Sequence, residues 1–171
     1  MASSTRTTAS AWASRTFGRP ATSAAAPPSP NTAYDDFRVL QSQMLGDGSD
    51  SRCRIGPYAI FTEPELGHVG MSKGEARRSG RRFRVGRESM ADSGKARELG
   101  KTEGFIKVLV DEGDGKILGA TALCEEGAEI VQLFVELMNA GATVDTVRGA
   151  IHIHPTLAEA AKNAALAACK A

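Results

Sequence analysis

Cysteine, histidine and aromatic residues are scarce in this chain of 171 residues, and there is no marked excess of charge of either sign. Its three cysteines, Cys53, Cys124 and Cys169, stand far apart and form no Cys-x-x-Cys pair. An odd, scattered set argues against a disulfide framework or a structural zinc site and fits a reducing compartment. Lys and Arg number 21 against 20 Asp and Glu, a net charge of +1. Such balance gives no reason to expect nucleic acid or an anionic membrane as partner. No apolar run approaches the roughly 20 residues that span a bilayer. A cytoplasmic globular protein is the expectation, with length enough for one domain and its core. No internal repeat is visible.

Composition changes near Tyr34. Residues 1–33 are rich in Ser, Thr and Ala, hold Arg6, Arg15 and Arg19, and contain no acidic residue before Asp35. Such a segment buries little apolar surface, so disorder is expected there. Two readings fit it: an organelle transit peptide, mitochondrial or plastid, or a non-native leader on a fragment. Residues 34–171 read as the globular domain.

Within that domain, Phe37, Leu40, Met44 and Leu45 recur at helical spacing and predict a short amphipathic helix over 35–45. The glycine-rich stretch 46–50 reads as a loop. Strands are expected at 57–61, 82–87 and 104–111, and a turn over 111–115 leads into a returning strand over 116–124. This hairpin should form the centre of an antiparallel sheet. Phe83 and Val85 should share a face of their strand. Ser72-x-x-Glu75 is a capping box that opens a short helix ended by Gly80. Ile130, Leu133, Phe134, Leu137 and Met138 mark the clearest helix, 127–140, which Gly141 closes. A helical turn is expected over 143–148, and an alanine-rich last helix from Thr156 to about Cys169. Strands grouped ahead of helices indicate an α+β domain, an antiparallel sheet with packed helices.

The segment His152-Ile-His-Pro-Thr-Leu-Ala-Glu159 concentrates the chemistry. Histidine changes charge near neutral pH, so a histidine beside a carboxylate is a proton-transfer unit, with His154 and Glu159 as the candidate catalytic residues. Thr156-x-x-Glu159 also reads as a capping box, and both roles stay open. Pro155 disfavours the helical region for His154 and should hold it extended, outside the helix. His152 should face the other way and be structural or interfacial. His68, flanked by Gly67 and Gly70, reads as an exposed loop residue.

Several segments together resemble one family. Tyr58-Ala-Ile-Phe-Thr-Glu-Pro-Glu-Leu-Gly-His-Val-Gly70 is similar to the opening of the C-terminal interface domain of the pyridine nucleotide-disulfide oxidoreductases. Gly100–Val108 and Ile117–Ala120 are similar to its central hairpin, and Ile151–Glu159 to its active-site motif. Members include dihydrolipoamide dehydrogenase, glutathione reductase and mercuric reductase. Tyr34-Asp-Asp-Phe-Arg-Val-Leu40 looks closest to the mercuric-reductase-like branch. The resemblance runs in order over roughly residues 33–168.

What the resemblance implies is half of a redox site. The family reaction carries electrons from NAD(P)H through FAD and a cysteine pair to a disulfide, or to a metal ion in the mercuric branch. The histidine matching His154 crosses the dimer interface and moves protons at the partner's cysteines, and the carboxylate matching Glu159 orients it. Full members carry FAD and NAD(P)H domains ahead of this one, each opening on a Gly-x-Gly-x-x-Gly turn. Nothing of the kind occurs before Tyr34, where Gly18 is the only glycine. Cys53 and Cys124 are too far apart for the family's redox pair. Cys169 stands alone where mercuric reductases have adjacent C-terminal cysteines, and reads as inert. Neither FAD nor NAD(P)H is therefore expected on this chain alone, nor reductase activity, nor a bound metal. The expected partner is a second copy or a full-length reductase subunit. Two alternatives stand beside this: a non-enzymatic module that pairs with a complete reductase, and an inactive truncated fragment. Ala160, Ala161, Ala164 and Ala168 are the candidates for close packing across the dimer.

Overall fold

The computed structural model describes residues 29–46, 48 and 55–170. Most of the leader read over residues 1–33, most of the loop 46–50, and Cys53 lie outside the described residues. The described helix α1, Pro30–Leu45, belongs to a unit of its own. It begins at Pro30 rather than Asp35 because Ser29 caps it, accepting the Thr32 N–H at 3.1 Å. Proline is at home in a first helical turn, where its missing N–H leaves no bond unmade.

Residues 55–170 form one compact body around a five-stranded antiparallel sheet. Its strands are β1 (Tyr58–Ile60), β2 (Glu65–Gly70), β3 (Phe83–Ser89), β4 (Phe105–Asp111) and β5 (Ile117–Cys124), in the order β1-β2-β5-β4-β3. The β4–β5 hairpin expected at the centre is there, with β5 the middle strand. Five helices complete the body: α2 (Lys73–Arg78), α3 (Gly94–Leu99), α4 (Gly127–Asn139), α5 (Val144–Gly149) and α6 (Leu157–Lys170). The α+β class is as expected.

One sheet face carries the main core. There α4 lies on β2 and β5, and α6 lies on β3 and β4. Val69, Ile106, Val108, Ala120 and Phe134 are fully buried between these layers. Two glycines let the helices approach. A Cβ on Gly67 would overlap the Gly127 carbonyl, and one on Gly86 would overlap the Ala164 carbonyl. On the opposite face α2 covers a smaller cluster of Ala76, Leu109 and Leu118, against which Phe83 and Val85 pack together. The Ser72–Glu75 capping box that starts α2 is complete, with Ser72 N–H to Glu75 Oε2 at 2.8 Å and Glu75 N–H to Ser72 Oγ at 3.2 Å.

Two expectations need correction. His68 is not in an exposed loop: it lies in β2, 7% exposed, paired across the sheet with Tyr58 and Thr121. Gly67 and Gly70 looked like turn residues, yet Gly67 serves the close approach of α4 and Gly70 closes the strand at φ 73°. The alanine stripe of α6 does not wait for a dimer partner. Ala160, Ala161, Ala164 and Ala168 are at most 1% exposed, packed with the chain's own core. Small side chains there let α6 sit close over Gly86. The sequence also gave no sign of α3, whose six residues are under two turns and too few for a period to show.

The His68 ring is satisfied as a neutral group. Its Nε2–H donates to the Gly70 carbonyl at 3.2 Å, so Nδ1 accepts from the Thr121 hydroxyl at 3.0 Å. Burial, above all, pushes its pKa below 6.5, although the Gly70 carbonyl and Glu75 pull the other way. The folded state therefore binds fewer protons than the unfolded one as pH falls through about 6.5. Stability should be full above that pH and decline below it. Chemical denaturation of His68→Gln should lack this decline between about pH 7 and pH 5. An unchanged slope would assign the loss to other groups. The Glu75 carboxyl, held below 4.5 chiefly by hydrogen bonds from Ser72, loses its contribution only in a more acidic window.

Candidate functional site

The loop between α5 and α6 brings His154 and Glu159 together. His154 Nδ1 lies 2.8 Å from Glu159 Oε2. With Glu159 ionised, that bond requires the proton on Nδ1, which leaves Nε2 as the free end of the ring. The His154 side chain is 72% exposed, and among the described residues no hydrogen bond engages Nε2. Exposed pairs of this kind contribute little to stability. The peptide bond between His154 and Pro155 is cis.

The capping-box reading is half right. Thr156 Oγ1 accepts the Glu159 N–H at 3.3 Å and donates to the Ile153 carbonyl at 2.8 Å. The reciprocal bond of a box, from the Glu159 carboxylate to the Thr156 N–H, is not made. That carboxylate is spent on His154, in contrast to Glu75 in the complete box of α2. Ile151 and Ile153, on either side of half-buried His152, are 99% and 80% exposed. Burying an isoleucine fully is worth about 1.5–3 kcal/mol, so the loop presents the His154–Glu159 pair beside two unused apolar contacts.

One further residue holds this loop and another ties its helix to the sheet, and the sequence reading missed both. Lys162 Nζ donates to the Ala150 carbonyl at 2.6 Å, and Asn163 Nδ2 donates to Glu88 Oε1 at 3.1 Å, tying α6 to β3. The only available signal was their polarity in an otherwise alanine-rich helix.

Cysteine chemistry lies elsewhere. Cys124 is fully buried in β5, and its thiol is pushed up to about 11 by burial, with the Glu65, Glu125 and Glu126 carboxylates adding to the effect. The thiolate is the reactive form, so Cys124 should resist iodoacetamide at neutral pH in the native protein and react once unfolded. Mass spectrometry of the alkylated protein reads this directly, and rapid native labelling of Cys124 would contradict it. Cys169, on α6, is half-exposed, with Sγ 3.7 Å from the Ala165 carbonyl. Among the described residues no three His, Cys, Asp or Glu side chains converge to hold a metal. None of the described helices is long and apolar enough to cross a membrane. The described residues offer no nucleotide-binding turn for FAD or NAD(P)H either. The sheet is antiparallel throughout and has no β-α-β turn to receive a pyrophosphate.

The antiparallel sheet has its main helices, α4 and α6, on one face and α2 on the other, and a bare loop at the start of α6 carries a His–Glu pair. Residues 56–165 match the family model described as the pyridine nucleotide-disulphide oxidoreductase dimerisation domain, and the chain belongs to that family. It is 33% identical over 130 residues to a probable pyridine nucleotide-disulfide oxidoreductase, RclA, of Escherichia coli, covering 74% of this chain and 29% of that one. It is 39% identical over 127 residues to the dihydrolipoyl dehydrogenase of Haloferax volcanii, covering 74% of this chain and 27% of the other. The solved Cu(II) complex of RclA, an HOCl-induced flavoprotein disulfide reductase, superposes with a TM-score of 0.72 at 31% identity, over 78% of this chain and 31% of that one. LpdA of Mycobacterium tuberculosis shares the fold, with a TM-score of 0.74 at 19% identity, over 81% and 30% of the two chains. The chain thus spans less than a third of the length of these relatives.

Proposed function

We propose that residues 34–171 act as the interface half of a shared redox site, with His154 and Glu159 delivering a proton to a partner subunit. The observation that carries this reading is the loop itself. His154 and Glu159 are held at 2.8 Å, yet among the described residues His154 faces no reacting group, and Ile151 and Ile153 beside it are bare. A loop built this way suits insertion into another subunit. Membership of a family named for this dimerisation domain supports the same direction.

The chemistry follows from thiol–disulfide exchange. When a thiolate attacks a disulfide, one sulfur–sulfur bond forms, another breaks, and the departing sulfur leaves as a thiolate. Protonation stabilises that leaving group. The free Nε2 of His154 is the atom placed to take the proton of the attacking thiol and return it to the departing sulfur, while Glu159 fixes the ring through Nδ1. FAD, NAD(P)H and the reacting cysteines would all belong to the partner, and the chain alone would bind neither cofactor. The partner is a complete reductase subunit of the same family.

Two measurements test this. The purified chain should show no flavin absorbance band and should not oxidise NAD(P)H. Mixed with full-length RclA, it should form a mixed dimer on sedimentation. Stoichiometric flavin in the purified chain would overturn the division of labour, and absence of mixed dimers would favour an inert fragment.

A further inference from the structure

We propose that Lys162 is a positioning residue for His154. The inference rests on the proposed role of the loop and names the device that keeps the loop in register. Helix α6 and the residue just before it hold that loop with side chains spaced three apart. Thr156 bonds the Ile153 carbonyl at 2.8 Å, Glu159 bonds the His154 ring at 2.8 Å, and Lys162 bonds the Ala150 carbonyl at 2.6 Å. Ala150 is the residue on which α5 ends and the chain turns extended, at φ −73° and ψ 145°. The Lys162 ammonium thus meets a helix C-terminus, where carbonyls lack partners inside the helix and a cation is favoured. It fixes the point at which the loop departs, while Thr156 and Glu159 fix the point at which it returns.

The consequence concerns geometry at His154. Nothing inside the body packs on Ile151 or Ile153, so apolar contact does not hold the loop. Its conformation depends on these few polar tethers. Asn163 steadies the base of the same helix by its bond to Glu88 at 3.1 Å. Removing the Lys162 tether frees residues 150–153 at one end, and the His154–Glu159 bond then has to order the whole loop by itself. A charge-assisted hydrogen bond shifts such an equilibrium by on the order of tenfold. A cap that merely stabilises α5 would leave His154 untouched, which separates the two roles.

Nitrogen-15 NMR of the histidine rings in the full chain provides the test. The parent should show His154 with its proton on Nδ1, the form that Glu159 selects. Lys162→Met should cut the ratio of the Nδ1–H to the Nε2–H form on the order of tenfold and speed amide exchange across 150–153. Lys162→Arg, which keeps a cationic donor, should restore both. A lower melting temperature in Lys162→Met with an unchanged His154 ring spectrum would overturn the proposal and leave Lys162 as a cap for α5. Should Lys162→Met fail to fold, Lys162→Gln, which keeps a shorter donor, gives the same reading in intermediate degree, and an unchanged ring spectrum there overturns it equally. None of these measurements involves a partner subunit. A loop that is well positioned but never enters a partner would pass here and fail the mixed-dimer test.

Discussion

Replacing His154 with alanine should lower about 100- to 10,000-fold the turnover that this chain restores to a reductase subunit lacking its own histidine. The experiment pairs the chain with a full-length reductase of the family whose own matching histidine has been removed. If the two share a site, the chain supplies the missing imidazole in trans. Disulfide-dependent NAD(P)H oxidation by the mixed dimer is the readout. The range is that of a positioned general acid, and it applies because the pair is already assembled at 2.8 Å before any partner arrives. Glu159→Gln should cost less than His154→Ala, since it loosens the ring without removing it. Both variants should still form mixed dimers, because neither residue contributes the apolar contacts of Ile151 and Ile153. Mixed dimers with no restored turnover from the parent chain would end the trans reading while leaving dimerisation intact.

How much of this was legible beforehand depended on what each residue advertises. Periodicity exposed the β4–β5 hairpin and α4, since Ile130 and Phe134 repeat on one face and the strands alternate against it. It failed for β2, where Gly67 and Gly70 imitate a turn. Their real work is tertiary: Gly67 makes room for the Gly127 carbonyl of a helix sixty residues away. The same blindness misassigned the α6 alanines. An alanine stripe signals close approach without saying what approaches, and Gly86 of β3, which answers it, is remote in sequence. The candidate pair was readable because the proline and the capping threonine mark a helix start, and a carboxylate in its first turn sits near the preceding loop. Lys162 was not readable, because its partner is a backbone carbonyl, which has no identity in a sequence.

Phe134→Ala should be the most destabilising single change in the described fold, by about 3–5 kcal/mol. Phe134 is fully buried on α4, which covers β2 and β5, and it is among the largest of the fully buried side chains. Truncation forfeits the transfer free energy of the ring and leaves a cavity that strands tied into a five-stranded sheet cannot collapse to fill. Against a typical total of about 5–15 kcal/mol, that loss consumes a large share of the stability of the domain. A fall in melting temperature of more than about 10 °C is the expected reading by calorimetry. Phe134→Leu should recover most of it by refilling part of the volume. The position also makes a control for the loop. The His154 loop is held by polar bonds from α6, whose main packing is on β3 and β4 rather than on α4. At a temperature where the variant is still folded, the His154 ring spectrum should therefore match that of the parent. A Phe134→Ala protein with parental stability would mean that the layer of α4 over β2 and β5 is not where the fold keeps its core.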